Sequence, residues 1–261
     1  MSKVRSTGRG AALGLQGLIA LVIVWGCAGL IPPELIYNVR MDPVLPEGRG
    51  DYSIDLEDSS LVFSKEGLLI KVRYLTSDEL NERYPPLFDG RHVNPYTYEA
   101  KDPELGYILP RFTVFDVTII NNTYAKVELD PARALMISGD ETYRYYDPGR
   151  EGAVALGANS FTKYYKVELG TSGNDREINL ERMGILYKTV YHRHRPIFRG
   201  DRRSGLLVFD PLPEDNDELT LRIDDFVLAF DASDSPLEVV DADFRFHIQQ
   251  GIVKIAPQKG K

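Results

Sequence analysis

The sequence predicts a mainly β protein, an antiparallel sandwich with one or two short helices. Three observations carry that expectation. Phe112 to Leu135 reads as a long strand, a tight turn and a second strand. Thr113, Phe115, Val117 and Ile119 fall on one face of the first strand, and Phe112, Val114, Thr118 and Ile120 on the other, with Asp116 its only charge. A strand apolar on both faces suits the middle of a sandwich. Fifteen Tyr and eleven Phe against one Trp and four Met favour strands over helix bundles. Finally, about seven to nine short segments alternate between turn signals, the spacing of a sandwich.

Taken in order, the chain begins with Lys3, Arg5 and Arg9 and no acid, and an apolar run follows from Ala11 to Ile31. A basic start, an apolar middle and a small residue at the end predict a secretory signal over 1–26. Val24-Trp25-Gly26-Cys27 then sets a small residue just before the chain's single cysteine. This stretch resembles the bacterial lipobox: Val24, Gly26 and Cys27 match it, and Trp25 departs from it. The resemblance implies cleavage before Cys27, a lipid on Cys27 and, with Ala28 rather than Asp next, an outer-membrane anchor facing the periplasm. The alternatives are an uncleaved single-pass anchor in the inner membrane, since about 20 apolar residues span a bilayer, and a coincidental cysteine. All three send the remainder across the membrane.

Ile31 to Gly50 is rich in Pro and Gly and predicts an extended tether, so that 27–50 forms the anchor segment and 51–255 the folded domain. Leu61 to Leu75 predicts a hairpin turning at Lys65-Glu66-Gly67. Ser77 to Tyr84 predicts a short helix with Ser77 as its N-cap, ended by Pro85-Pro86. Leu87 to Pro110 is an aromatic, proline-rich loop. Thr142–Tyr146 and Phe161–Leu169 predict strands around a Gly/Ala-rich loop, Gly149–Asn159. In Glu177–Tyr191, the residues Leu180, Met183, Gly184, Tyr187 and Val190 recur at helical spacing. Leu206–Phe209, Glu218–Ile223, Phe226–Phe230 and Phe244–Ile248 predict the closing strands, and 256–261 a loose tail.

Phe112–Asn121, Val127–Pro131, Gly205–Pro213 and Glu218–Ile223 together resemble secreted bacterial immunoglobulin-like lipoprotein domains, a family of unknown function. The resemblance covers about half the chain after the signal and implies an immunoglobulin-like sandwich and an extracytoplasmic compartment. It implies no active site, because its motifs specify a scaffold.

The composition excludes several chemistries. A formal charge of −8, with an N-terminal segment that is itself basic, repels nucleic acid. A sole cysteine excludes intramolecular disulfides and multi-cysteine metal or iron–sulfur sites. The methionines form no copper-binding cluster, and Glu214–Glu218 lacks the spaced oxygens and glycine of a calcium loop. No Gly-x-Ser-x-Gly and no phosphate-cradling loop is present. No catalytic residue, metal site or cofactor is therefore predicted. Asn121-Asn122-Thr123 matches a glycosylation sequon, but the preference of Asn for turns predicts a turn there.

Two surfaces remain. His192, Arg193, His194, Arg195, Arg199, Arg202 and Arg203 make a basic segment that reads either as a solvated loop or as a partner-binding patch for an acidic envelope protein, a phosphate group or a cell-wall polymer. In a strand, His192 and His194 would share one side, yet the surrounding arginines disfavour a metal cation there. Tyr84, Phe88, Tyr96, Tyr98 and Tyr107 make an aromatic loop that either binds or caps the sandwich. The expectation is a lipid-anchored, non-catalytic binding or structural protein of the bacterial envelope. A cell-wall-directed hydrolase and a periplasmic ligand or metal carrier are the alternatives.

Overall fold

The computed structural model of the chain describes residues 33–149, 157–166 and 173–255. The expected signal 1–26, the Cys27 lipid site and the tail 256–261 lie outside them. Among the described residues no helix is long and apolar enough to cross a membrane. The chain divides into a body, Tyr37–Ile252, and a smaller unit formed from Met1–Ile36 and Val253–Lys261.

Fourteen strands are described: β1 (Glu34–Val44), β2 (Tyr52–Asp55), β3 (Ser60–Lys65), β4 (Leu68–Tyr74), β5 (Thr113–Asn121), β6 (Lys126–Val127), β7 (Ala134–Ser138), β8 (Glu141–Arg144), β9 (Tyr146–Asp147), β10 (Asn159–Ser160), β11 (Ile197–Phe198), β12 (Arg202–Phe209), β13 (Glu218–Phe230) and β14 (Pro236–Ile255). Three helices accompany them: α1 (Ser77–Arg83), α2 (Phe161–Tyr164) and α3 (Asn174–Thr189). The strands build two five-stranded sheets, in the orders β1-β14-β13-β7-β8 and β12-β5-β4-β3-β2. Every pairing in the second sheet is antiparallel, as are β14–β13, β13–β7 and β7–β8 in the first. The protein is a mainly β, antiparallel sandwich, consistent with the immunoglobulin-like class.

The alternation of β4 explains the core. Leu68, Ile70 and Val72 are fully buried, while Lys71 and Arg73 stand on the outer face. The inward residues of the two sheets meet through aromatics: Phe115 of β5 lies 5.4 Å from Phe246 of β14, and Tyr52 lies 6.0 Å from Phe244. The Tyr52 hydroxyl accepts the Asp243 amide proton at 3.0 Å, so one polar group in this layer is paired across the sheets. On the outer face of the second sheet, Lys71 pairs with Asp55 at 2.6 Å and Arg83 with Asp116 at 3.0 Å. The one charge of β5 thus points away from the sandwich core.

The expected hairpin at 61–75 forms, with Glu66 and Gly67 in the left-handed region at φ 48° and 86°. Gly67 carries that conformation without a Cβ penalty. Four other local expectations are corrected. The chain after β5 does not return as its hairpin partner: β5 pairs with β4 and β12, and β7 lies in the opposite sheet. The turn at Asn121–Tyr124 is therefore a crossover between layers, because both neighbours of β5 are already taken. The α1 cap is Thr76, one residue before Ser77. Thr76 and Glu79 cap one another reciprocally, which Ser77 could not do with Leu80 at the matching position. Phe161–Tyr164 is a helical turn rather than a strand, capped by Ser160 and buried through Phe161 and Thr162. The expected tether contains β1, where Glu34–Val44 joins the sheet edge beside β14. Its body residues alternate, with Met41 buried and Val39 packed on the core.

Helix α3 occupies the predicted place, but its buried face differs. Met183 and Leu186 point inward, followed by Val190, while Leu180 and Tyr187 are exposed. The segment after α3 then runs beside the open edge of β12. Val190 bridges Leu206, and the Tyr191 amide donates to the Leu206 carbonyl at 2.9 Å. Gly205 permits that approach: a Cβ there would lie 2.8 Å from Tyr191 Cα.

Candidate functional site

A lobe on one side of the sandwich is built from the 84–111 loop, α2 and α3. Asn94 fastens the loop to α1, its side-chain amide donating to the Leu80 carbonyl at 3.1 Å and to Asn81 Oδ1 at 2.9 Å. Tyr96 is buried and shares a hydrogen bond with Thr189 on α3. Thr97 and Pro110 close the base of the loop through an isolated bridge. Phe112, Tyr146, Phe161 and Tyr164 pack edge-on or tilted at centroid separations of 4.9 to 5.9 Å, which anchors α2 against the start of β5. Of the predicted aromatic loop, Tyr96 and Tyr107 are thus core residues, Tyr98 is partly exposed, and Phe88 stands fully clear of the protein at 108% relative exposure.

Phe88 projects from a tight turn. The Leu87 amide donates to the Arg91 carbonyl at 2.9 Å and the Gly90 amide to the Leu87 carbonyl at 2.8 Å. The Arg91 amide and guanidinium both reach Asp89, at 3.1 and 2.6 Å, and together hold its carboxyl below the ordinary carboxylate range.

Beside this turn opens a cleft of about 620 Å³. One wall is a single face of α3: Asp175, Ile178, Asn179 and Arg182. Their spacing of three, four and seven residues sets all four on one side of a helix. The other wall is the turn Asp89–His92 with Glu99. Arg182 ties the walls together, donating to Asn179 Oδ1 at 3.3 Å and to the His92 carbonyl at 3.1 Å. Arg91 reaches Glu181 at 3.5 Å, and His92 stands 4.0 Å from Glu99.

Two guanidinium groups of the lobe, Arg111 and Arg182, lie near one tyrosine ring. Arg111 is 9% exposed, lies 4.3 Å from the centroid of Tyr98 and donates to the Tyr165 hydroxyl at 3.0 Å. Arg182 and Arg111 lie 5.8 and 5.9 Å from the Tyr165 ring, so one aromatic face system serves two cations. Burial, and then repulsion from Arg111, push the Arg182 pKa down. Four buried side-chain polar atoms among the described residues have no hydrogen-bond partner, and three belong here: Arg111 Nε, Glu181 Oε2 and Arg182 Nε.

No family model, curated protein or solved structure matches the chain. Its chemistry rests on these side chains alone.

The basic segment is arranged otherwise than a strand would place it. His192 Nε2 lies 2.6 Å from the Tyr187 carbonyl, and His194, at φ 53°, turns its Nδ1 to 3.6 Å from Glu128. No group of three or more metal-ligating side chains occurs among the described residues. Arg193 forms a bidentate pair with Asp130 at 2.8 and 2.7 Å. Arg199 donates to the Thr123 carbonyl at 2.8 Å and Arg203 to the Arg195 carbonyl at 3.0 Å. Arg195 and Arg202 are exposed. Three of the arginines are thus engaged in holding the crossover and the segment itself. The sequon is a turn: Asn121 is fully buried and its amide donates to the carbonyls of Tyr124 and Ile197 at 2.9 and 3.0 Å.

The cleft escaped the sequence reading. The spacing of Asp175, Ile178, Asn179 and Arg182 is helical, but Asp175 precedes the expected helix at Glu177, and Leu180, Met183 and Tyr187 mark a different face. The second half of the cleft comes from Asp89–His92 and Glu99, in a loop far earlier in the chain, and no local pattern couples the two.

Proposed function

We propose that this protein is a lipid-anchored, non-catalytic binding module of the bacterial envelope, with the lobe as its ligand face. The observation that carries the ligand face is the cleft between α3 and the Asp89–His92 turn, lined by charges of both signs beside a fully exposed aromatic. A cleft of this size falls in the usual range for small ligands. The basic segment supplies a second contact through Arg195 and Arg202, for an envelope protein or cell-wall polymer. The anchor rests on Cys27 and its resemblance to the lipobox.

The carboxyl groups in the cleft give the hydrolase reading its one supporting observation. Against it, Arg91 holds the Asp89 carboxyl below the ordinary carboxylate range, which removes it as a proton donor, and the described lining contains no Ser, Thr, Cys, Lys or Tyr nucleophile. A sugar hydrolase needs one carboxyl raised toward neutral pH beside an ionised one.

Photocrosslinkers at Phe88, Arg195 and Arg202 in intact cells test the binding reading. Capture at Phe88, with or without capture at the basic positions, supports the lobe. Crosslinks at the basic positions alone move the ligand face, and none at any position removes the reading. Fatty-acid labelling of wild type against Cys27→Ser tests the anchor, and equal labelling sinks it.

A further inference from the structure

The wall formed by α3 sets a carboxylate and a guanidinium at opposite ends of one stripe. Asp175 and Arg182 are seven residues apart, about 10 Å along a helix axis, with Ile178 between them. Among the described residues neither forms an ion pair. Arg182 donates only to a neutral amide and a carbonyl, and its Nε is buried without an acceptor. On the facing wall, Asp89 is held by Arg91, and Glu99 stands at the limit of contact with His92.

A lone anion entering this cleft meets Arg91 and Arg182 but also the three carboxylates of Asp89, Glu99 and Asp175. A lone cation meets Arg91 and Arg182. A molecule carrying both charges, separated along its length, satisfies each end at once. Resting on the reading of the cleft as a ligand site, we propose that it takes a short unblocked peptide. The α-carboxylate lies toward Arg182, the α-ammonium toward Asp175, and the backbone crosses Ile178. An extended chain spans at most about 3.3–3.6 Å per residue, so a peptide of roughly two or three residues bridges the two groups. Arg suits a carboxylate because its planar donors match both oxygens.

Calorimetric titration of the full chain in detergent, with trialanine, N-acetyl-trialanine, trialanine amide and inorganic phosphate, tests this. Free trialanine binds, and each blocking group weakens binding about tenfold or more, the scale of one charge-assisted hydrogen bond. Asp175→Asn removes the penalty for acetylation but keeps that for amidation, and Arg182→Gln does the reverse. Asp175 lies at an exposed helix start, so its variant reports even where the half-buried Arg182 variant fails to fold. Equal binding of free and blocked peptides overturns the dipolar ligand, as does phosphate binding that Arg182→Gln abolishes; both leave the cleft a ligand site. Absence of heat with every probe overturns the peptide proposal, while crosslinking at Phe88 decides the binding reading separately.

Discussion

Replacing Asp130 by Asn removes the charge that holds the basic segment to the crossover. Asp130 accepts two hydrogen bonds from Arg193, at 2.8 and 2.7 Å, and one from the Ala132 amide at 3.0 Å. The two charged side chains are 14% and 22% exposed, so water screens them only in part. Charge-assisted bonds contribute about 1.5–3 kcal/mol each when well buried. Residual exposure discounts that, and the Asn Oδ1 can still accept from Ala132, which leaves an expected loss of about 2 kcal/mol. Urea unfolding followed by circular dichroism measures it. In a double-mutant cycle with Arg193→Met, the coupling should be about 1.5–2 kcal/mol. The acid side gives an independent check. Burial raises the Asp130 pKa, but the Arg193 and Ala132 bonds outweigh it, and the carboxyl titrates below its ordinary value. A group whose folded pKa is depressed stabilises above the unfolded value and loses that stabilisation as pH falls. The gap between wild type and Asp130→Asn should therefore hold above about pH 4 and close below it. A loss under about 0.5 kcal/mol, or coupling near zero, refutes the structural role and returns Arg193 to the exposed patch.

Three further outcomes follow from the packing. Gly205→Ala should lower stability by about 2 kcal/mol or more, since its Cβ would press on Tyr191 backbone rather than on a movable side chain; an unchanged urea midpoint disproves the close approach. Phe115→Ala should cost about 3–5 kcal/mol, because Phe115 is fully buried and joins the two sheets through Phe246; a loss near that of an exposed site contradicts the sandwich. Asn121→Ala strips three hydrogen bonds from a fully buried turn, two donated to carbonyls and one accepted from the Tyr124 amide, and should cost about 2 kcal/mol or more, and wild type expressed in a glycosylating host should show no mass increase at Asn121.

Local pattern was enough for the sandwich and for most of its elements. The alternation in 61–75 places Leu68, Ile70 and Val72 inside, since side chains on a strand point to opposite faces in turn. The helix near 177–191 was legible for the same kind of reason. Pattern could not choose between pairing partners. Whether β5 turns back on itself or crosses to the other sheet depends on β4 and β12 claiming both its edges; β4 ends at Tyr74, a helix and a long loop before Thr113, and β12 begins only at Arg202. Nor could it say which arginines are available. Arg193 reads like Arg195 in the sequence, yet only the crossover brings Asp130 beside the first. The basic segment was visible because its charges are consecutive. The cleft was not, because Arg182 and His92 meet only when α3 is laid against the 84–111 loop. Secondary structure follows from short-range periodicity, which a single strand or helix carries by itself. Binding geometry follows from contacts distant in sequence, and only the packed layers decide those.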